Sequence, residues 1–238
     1  IANIGSLQIH DRTGAAMTRG ITLPILAIGG AATKMAMDFS EDMELIQTQA
    51  GGSAREVKVL SERILDMVRS GKTFGEGARA MAQGLFFVES SGFRGARALE
   101  LTRIAAAGAA VGHTSLANTA RALTSAVTVF GGGAELAASK MAVLNAVVGV
   151  GKMRMEDLNG ALGTRLLPVA KLAGISLAEA GTAVSIFTRQ GTPAVVAATG
   201  LATAFARMKA PTGVAAKNLA FLGLKADVLA RALSTGGL

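Results

Sequence analysis

Short apolar stripes closed off by glycine constrain this chain more than anything else in it. The stretch from Gly174 to Pro193, GISLAEAGTAVSIFTRQGTP, is the clearest unit. Ser176 and Glu179 stand three residues apart, the spacing of a capping box. There the hydroxyl accepts an orphan amide proton and the carboxylate accepts from the cap amide. Leu177, Ala180, Val184 and Phe187 follow at helical spacing and predict a buried stripe. Arg189 falls in the last turn, where a cation suits the carbonyl end, and Gly191 stands where a left-handed stop belongs. Thr192 and Pro193 then read as cap and first residue of the next helix, which runs to about Met208 with Val196, Leu201 and Phe205 on its face.

The same grammar covers the rest of the chain. Phe39, Met43 and Ile46 predict a helix continuing from an apolar stretch over residues 14–39 and stopping at Gly51 and Gly52. Ser53 with Glu56 opens a helix whose stripe is Val57, Leu60, Ile64, Leu65, Met67 and Val68, ending at Gly71. Thr73 with Glu76 is expected to open the next, with Met81, Leu85 and Val88 on its face and a turn over Ser90–Gly95. Further helices are expected over Arg97–Ala110 and, from a Ser115 cap, through Leu116, Ala120, Leu123, Val127 and Phe130. The Gly131–Gly133 triplet ends that one, and Glu135–Val148 follows with Leu136, Met141 and Leu144. Short pieces from Glu156 and over Leu166–Ala173 precede the opening stretch, and Val214–Leu222 with Lys225–Leu233 close the chain. Alternating β-branched runs are nearly absent. The fold class is therefore all-α, an irregular array of about ten short, glycine-punctuated helices. Abundant Ala and Gly on helix faces let backbones approach closely.

The chain holds 238 residues, half of them hydrophobic, enough for one or two packed domains. It begins at Ile1, which suggests a piece of a longer protein. Segment 1–52 reads as an apolar N-terminal helical unit with an acidic continuation, and 53–238 as the helical core region. Between Arg19 and Lys34 the uncharged run is 14 residues, shorter than the roughly 20 that cross a bilayer. The start lacks a basic segment followed by a clean apolar core, so no signal peptide is read there.

Net charge is +8, and its distribution is uneven. Residues 1–100 carry 11 basic and 11 acidic residues; residues 101–238 carry 13 and 5. The cations stand singly, which predicts at most weak, unspecific attraction to DNA. Tyr and Trp are absent, removing the usual stacking platforms for bases. Without cysteine, thiolate metal sites and disulfides are excluded.

Chemistry-bearing groups are sparse. His10 and His113 stand far apart, the first expected to be exposed and the second in a helix–helix junction. Ser90–Ser91 beside Glu89 reads as a solvated turn. Asp38, Glu41, Asp42 and Glu44 read as helix-surface acids, and adjacent Glu156 and Asp157 as first-turn acids that do not face one another. Gly131–Gly133 with Lys140, and Gly71–Lys72–Thr73, lack the strand and spacing of a phosphate loop. The expectation is no catalytic residue, no metal ligand, no cofactor and no enzyme.

Three segments together resemble the conserved core region of phage tail tape measure proteins. The first runs from Leu23 to Leu60, with Asp38, Phe39 and Met43 in an acidic helix before a glycine break. The second runs from Thr114 to Gly131, with the helix after it. The third and strongest runs from Met155 to Phe205. Asn118 and Arg121 stand where such proteins commonly carry acids, and a glycine triplet replaces a short linker. The resemblance implies a structural protein of the virion tail that scaffolds tube assembly and sets tail length. It further implies attachment to the tail tip or distal tail proteins and release during genome ejection. Implied partners are copies of itself, as a trimer, tail tube subunits and assembly chaperones, with presence in the host cytoplasm during assembly. Contact with the host cell membrane is the alternative it leaves open, as a pore-forming helical protein aiding genome passage.

Overall fold

The computed structural model describes residues 30–221 together with Gly223 and Val228. The apolar stretch before Gly30, His10 and the expected helix over Lys225–Leu233 lie outside them, Val228 apart. Eleven helices and no strands appear among the described residues. They are α1 (Gly30–Thr48), α2 (Ala54–Arg69), α3 (Ala78–Ser90), α4 (Gly95–Gly112), α5 (Leu116–Phe130), α6 (Ala134–Val150), α7 (Met155–Leu162), α8 (Leu166–Leu172), α9 (Leu177–Arg189), α10 (Ala194–Lys209) and α11 (Gly213–Phe221).

Local side-chain chemistry sets the starts of α2, α5 and α9. The Ser53 amide donates to Glu56 Oε2 at 2.9 Å while the Glu56 amide donates back to Ser53 Oγ. Ser176 and Glu179 repeat the arrangement, with the Ser176 amide 2.8 Å from Glu179 Oε2. Each box satisfies amides that the first helical turn leaves orphaned. α5 takes its cap from Ser115, whose hydroxyl accepts from the Asn118 amide.

Two sets of buried side chains hold the array. The larger joins α1 to α7 through Phe39, Met43, Ile64, Met81, Leu85, Leu101, Leu123, Leu144 and Leu158. α4 and α5 are its centre. α4 buries Ala98, Leu101, Thr102, Ile104, Ala105, Ala106, Gly108 and Ala109, far more than one stripe, because α2, α3, α5 and α6 all pack on it. The smaller set is built mostly of alanines on α7 to α10, with Leu166, Ile175, Val184 and Phe205. Phe130 and Met153 are partly buried against both. Helices meet closely where one presents a glycine. A Cβ on Gly84 of α3 would stand 2.7 Å from Leu116 Cγ of α5, and one on Gly108 of α4 would stand 2.6 Å from Met141 of α6. Where α9 crosses α6, Gly181 faces Val147, and the Ser185 hydroxyl donates to the Val147 carbonyl at 2.9 Å.

Several expected details differ. Thr73 does not cap a helix: its buried hydroxyl donates to the Glu76 carbonyl at 2.7 Å, closing a turn, and α3 begins five residues later from Gly77. Glycines 75 and 77 deny that first turn the backbone stiffness a helix start needs. Thr192 is not the cap of α10; Pro193 occupies that place with extended ψ, since its ring supplies the fixed φ but no acceptor. Phe187, Leu136 and Val196 are exposed, although each sits at stripe spacing. On α9 the buried places next to Val184 go to Ser185 and Thr188, whose hydroxyls bond backbone carbonyls at the α6 crossing.

Candidate functional site

The acids read from the sequence divide into two kinds. On α1, Asp38 and Asp42 turn toward α3. Arg79 Nη1 lies 2.7 Å from Asp38 Oδ2 and its Nε 3.4 Å from Asp42 Oδ2, while Gln83 donates to Asp42 at 3.1 Å. Partial burial pushes the Asp42 carboxyl above its usual value despite the opposing Gln83 and Arg79 bonds. Glu41 and Glu44 are exposed and take part in no ion pair among the described residues. The four carboxylates therefore do not converge, and no group of three metal-ligating side chains occurs among the described residues.

Glu156 and Asp157 also separate. Asp157 accepts from the Arg154 amide at 2.8 Å, completing the α7 start. Glu156 reaches the α4–α5 junction, accepting from Thr114 Oγ1 at 3.1 Å and Asn118 Nδ2 at 2.9 Å. Its own backbone amide and Asn118 hold its carboxyl below the usual range. Asn118 thus has a physical reason to be uncharged, because an acid there would oppose Glu156. Arg121 lies over the Phe87 ring, 4.1 Å from its centroid, a cation–π contact that an acid could not make. His113 occupies the expected junction: it ends α4 in a left-handed conformation with φ 48° and is exposed.

Ser90 and Ser91 are exposed, as the reading of a solvated turn expects. Glu89 beside them is buried, at 1% exposed. Its carboxylate pairs with Arg94 Nη1 at 2.5 Å and accepts from the Gly95 amide at the start of α4. Arg94 Nη2 donates across to the Ala50 carbonyl beyond α1, at 2.5 Å. One ion pair therefore ties together the ends of α1 and α3 and the start of α4. Sequence reasoning missed it because the pairing of Glu89 with Arg94 spans the break between two helices. The signal it offered was an acid followed five residues later by an arginine, across Gly92.

A groove of about 630 Å³ lies between α2 and α4. Val59, Leu60, Met67 and Leu99 supply an apolar floor, with Arg55, Arg63, Lys72 and Arg103 at its edges. Its two acids are already engaged. Glu56 is in the capping box, and Glu100 makes two bonds to Arg103, at 3.0 and 2.8 Å. Such a surface suits binding and holds no paired acid and base for catalysis.

Sequence comparison agrees with an assembly role. The phage-related minor tail protein family matches residues 65–236. The chain belongs to that family. It is also 26% identical over 211 residues to the tape measure protein of Pneumococcus phage Dp-1, a match covering 89% of this chain and 18% of that protein. The chain thus spans about a fifth of the length of the curated relative it matches. No solved structure matches significantly. The family match places this chain among structural components of the phage tail, and a tail protein acts through contacts with other tail components.

Among the described residues no single helix is long and apolar enough to cross a membrane. One bent pair, Leu136–Val150 with Met155–Leu162, passes by length and composition at an angle of 116°. Its apolar residues Ala137, Met141, Leu144, Met155 and Leu158 are already used in the larger core.

Proposed function

We propose that this chain is a compact module of a tape measure protein, which scaffolds tail tube assembly and helps set tail length. In this reading the module is bound at the tail tip and leaves with the ruler during genome ejection. Its partners are copies of itself, tube subunits, distal tail proteins and assembly chaperones, and its role is structural, with no catalysis. The observation that carries the reading is the family match over residues 65–236, reinforced by similarity to a tape measure protein along 89% of the chain.

The fold refines where length is measured. An α-helix gains about 1.5 Å per residue, so α1, the longest described helix with 19 residues, reaches only about 28 Å. A segment that folds back at every glycine break cannot report length in proportion to its residue count. The module is therefore a fixed anchor, and the extended measuring part belongs elsewhere in the longer protein. The test is made in assembled particles carrying the full-length protein. Excising residues 54–209 should abolish tails or release their length from control, whereas helical residues added outside the module should lengthen the tail by about 1.5 Å each. Tails of normal number and length without the module would overturn the reading.

A further inference from the structure

We propose that the basic-edged groove between α2 and α4 receives the outer face of α1 from a second copy of this chain. The inference rests on charge and burial alone and does not depend on a role in tails.

The groove is apolar at its floor and unbalanced at its rim. Along α2, Arg55, Val59 and Arg63 lie four residues apart on one exposed face, about 12 Å from end to end. Glu100 is held by Arg103, which keeps its carboxyl below the usual range, and Glu56 is held by Ser53. Arg55, Arg63 and Lys72 make no ion pair among the described residues, and with Arg103 they outnumber the two carboxylates of the lining, Glu56 and Glu100, so the groove is net positive around buriable apolar surface.

The complement is found on the same chain. α1 buries one face through Ala36, Phe39, Met43 and Ile46. Its opposite face exposes Met37, Glu41, Glu44, Leu45 and Thr48. Met37 is 53% exposed and Leu45 37%, and neither Glu41 nor Glu44 makes an ion pair among the described residues. Met37, Glu41 and Leu45 are again four residues apart, so the stripe also spans about 12 Å. A cation–apolar–cation row on α2 thus complements an apolar–acid–apolar row on α1 when the two are offset by one helical turn, about 6 Å. Docking would put Leu45 on the groove floor beside Val59 and bring Glu41, one turn away, level with an arginine one turn from Val59, Arg55 or Arg63 according to the direction of the helix, with Glu44 adding negative charge alongside.

Charge argues against the terminal segments as occupants. Residues 1–29 carry Asp11, Arg12 and Arg19, and residues 222–238 carry Lys225, Asp227 and Arg231, so each is net positive. The contact joins two different patches. It therefore builds a ring when the rotation between copies closes, and an open chain when it does not.

The absence of cysteine from the sequence permits a clean test on the whole chain. Chains carrying Leu45→Cys are mixed with chains carrying Val59→Cys and oxidised. A disulfide-linked pair of unlike chains is expected, with neither single variant forming like pairs to the same extent. In sedimentation velocity, Glu41→Lys/Glu44→Lys and Arg55→Glu/Arg63→Glu should each weaken self-association about tenfold or more at low salt. The four substitutions combined should restore most of it. All sites are exposed, and circular dichroism confirms that each variant is folded. A wild-type chain that stays monomeric, charge reversals without effect, or no mixed cross-link would each overturn the proposal. The first outcome would leave the groove to another tail protein.

Discussion

Gly181 and Gly200 both lie inside helices, yet replacing each with alanine should move stability in opposite directions. Alanine is better than glycine in a helix interior by about 1 kcal/mol, and this gain applies equally to both. At Gly200, in the middle of α10, an added Cβ meets nothing within 4 Å, so the gain is realised. At Gly181 the new Cβ would collide with Val147 of α6. Val147 is β-branched and inside a helix, where one χ1 rotamer is strongly preferred, so turning its methyl away is itself costly. Relief requires α9 to move off α6. Overpacking of this kind costs about 1–3 kcal/mol. It also stretches the bond from Ser185 to the Val147 carbonyl, worth about 1 kcal/mol. The net expectation for Gly181→Ala is a loss of about 1–3 kcal/mol against a gain of about 1 kcal/mol for Gly200→Ala. Urea unfolding followed by circular dichroism reads the difference as midpoints displaced to opposite sides of wild type. Gly181→Ala/Val147→Ala should recover part of the loss, because the collision disappears. If Gly181→Ala stabilises as much as Gly200→Ala, glycine at that crossing is not there for close packing, and the account of how α9 meets α6 fails.

Removing Arg94 should reveal the buried carboxylate beneath it. Arg94→Ala is expected to lose about 2 kcal/mol in chemical denaturation, below the full figure for a buried pair because the arginine is half exposed. Glu89→Gln/Arg94→Ala should lose less than Arg94→Ala alone. Ser53→Ala and Ser176→Ala should each cost about 1 kcal/mol, measured as lowered urea midpoints, since each strips one capping box of its acceptor. Glu156 gives a pH signature. Its carboxyl is lowered in the fold, so the folded chain binds fewer protons than the unfolded one. The stabilisation is present above the usual value of 4.5 and drains away as pH falls through the lowered one. Glu156→Gln should therefore reduce the loss of stability on acidification from neutral pH, read as a flatter plot of unfolding midpoint against pH.

Helix starts and stops were legible because they are local. Ser53 with Glu56, Ser115, and Ser176 with Glu179 satisfy their own amides within three residues, and no distant neighbour has to be known. Where a start depends on something weaker than a side-chain acceptor, reading failed: α3 begins at a bare glycine and α10 at a proline. Stripe membership was legible only in part. Val184 and Phe205 are buried as their spacing demands, while Phe187, Leu136 and Val196 are exposed among the described residues. Among the candidate residues, His113 lies where its glycine neighbour suggested. The burial of Glu89 was not legible, because it depends on Arg94 and on the end of α1.

By itself the sequence determined an all-helical chain, most of its breaks, and membership of a tail protein family. Each follows from spacing along the backbone or from the order of motifs. Only the tertiary structure decided which faces meet. Arg94 reaches a carbonyl 44 residues away, Asn118 a carboxylate 38 residues away, and Ser185 a carbonyl 38 residues away. The apolar groove with unpaired cations likewise exists only because α2 and α4, separated by all of α3, lie side by side. Helical period tells which residues share a face, but burial and pairing are set by what stands opposite, and that is a property of the packed array.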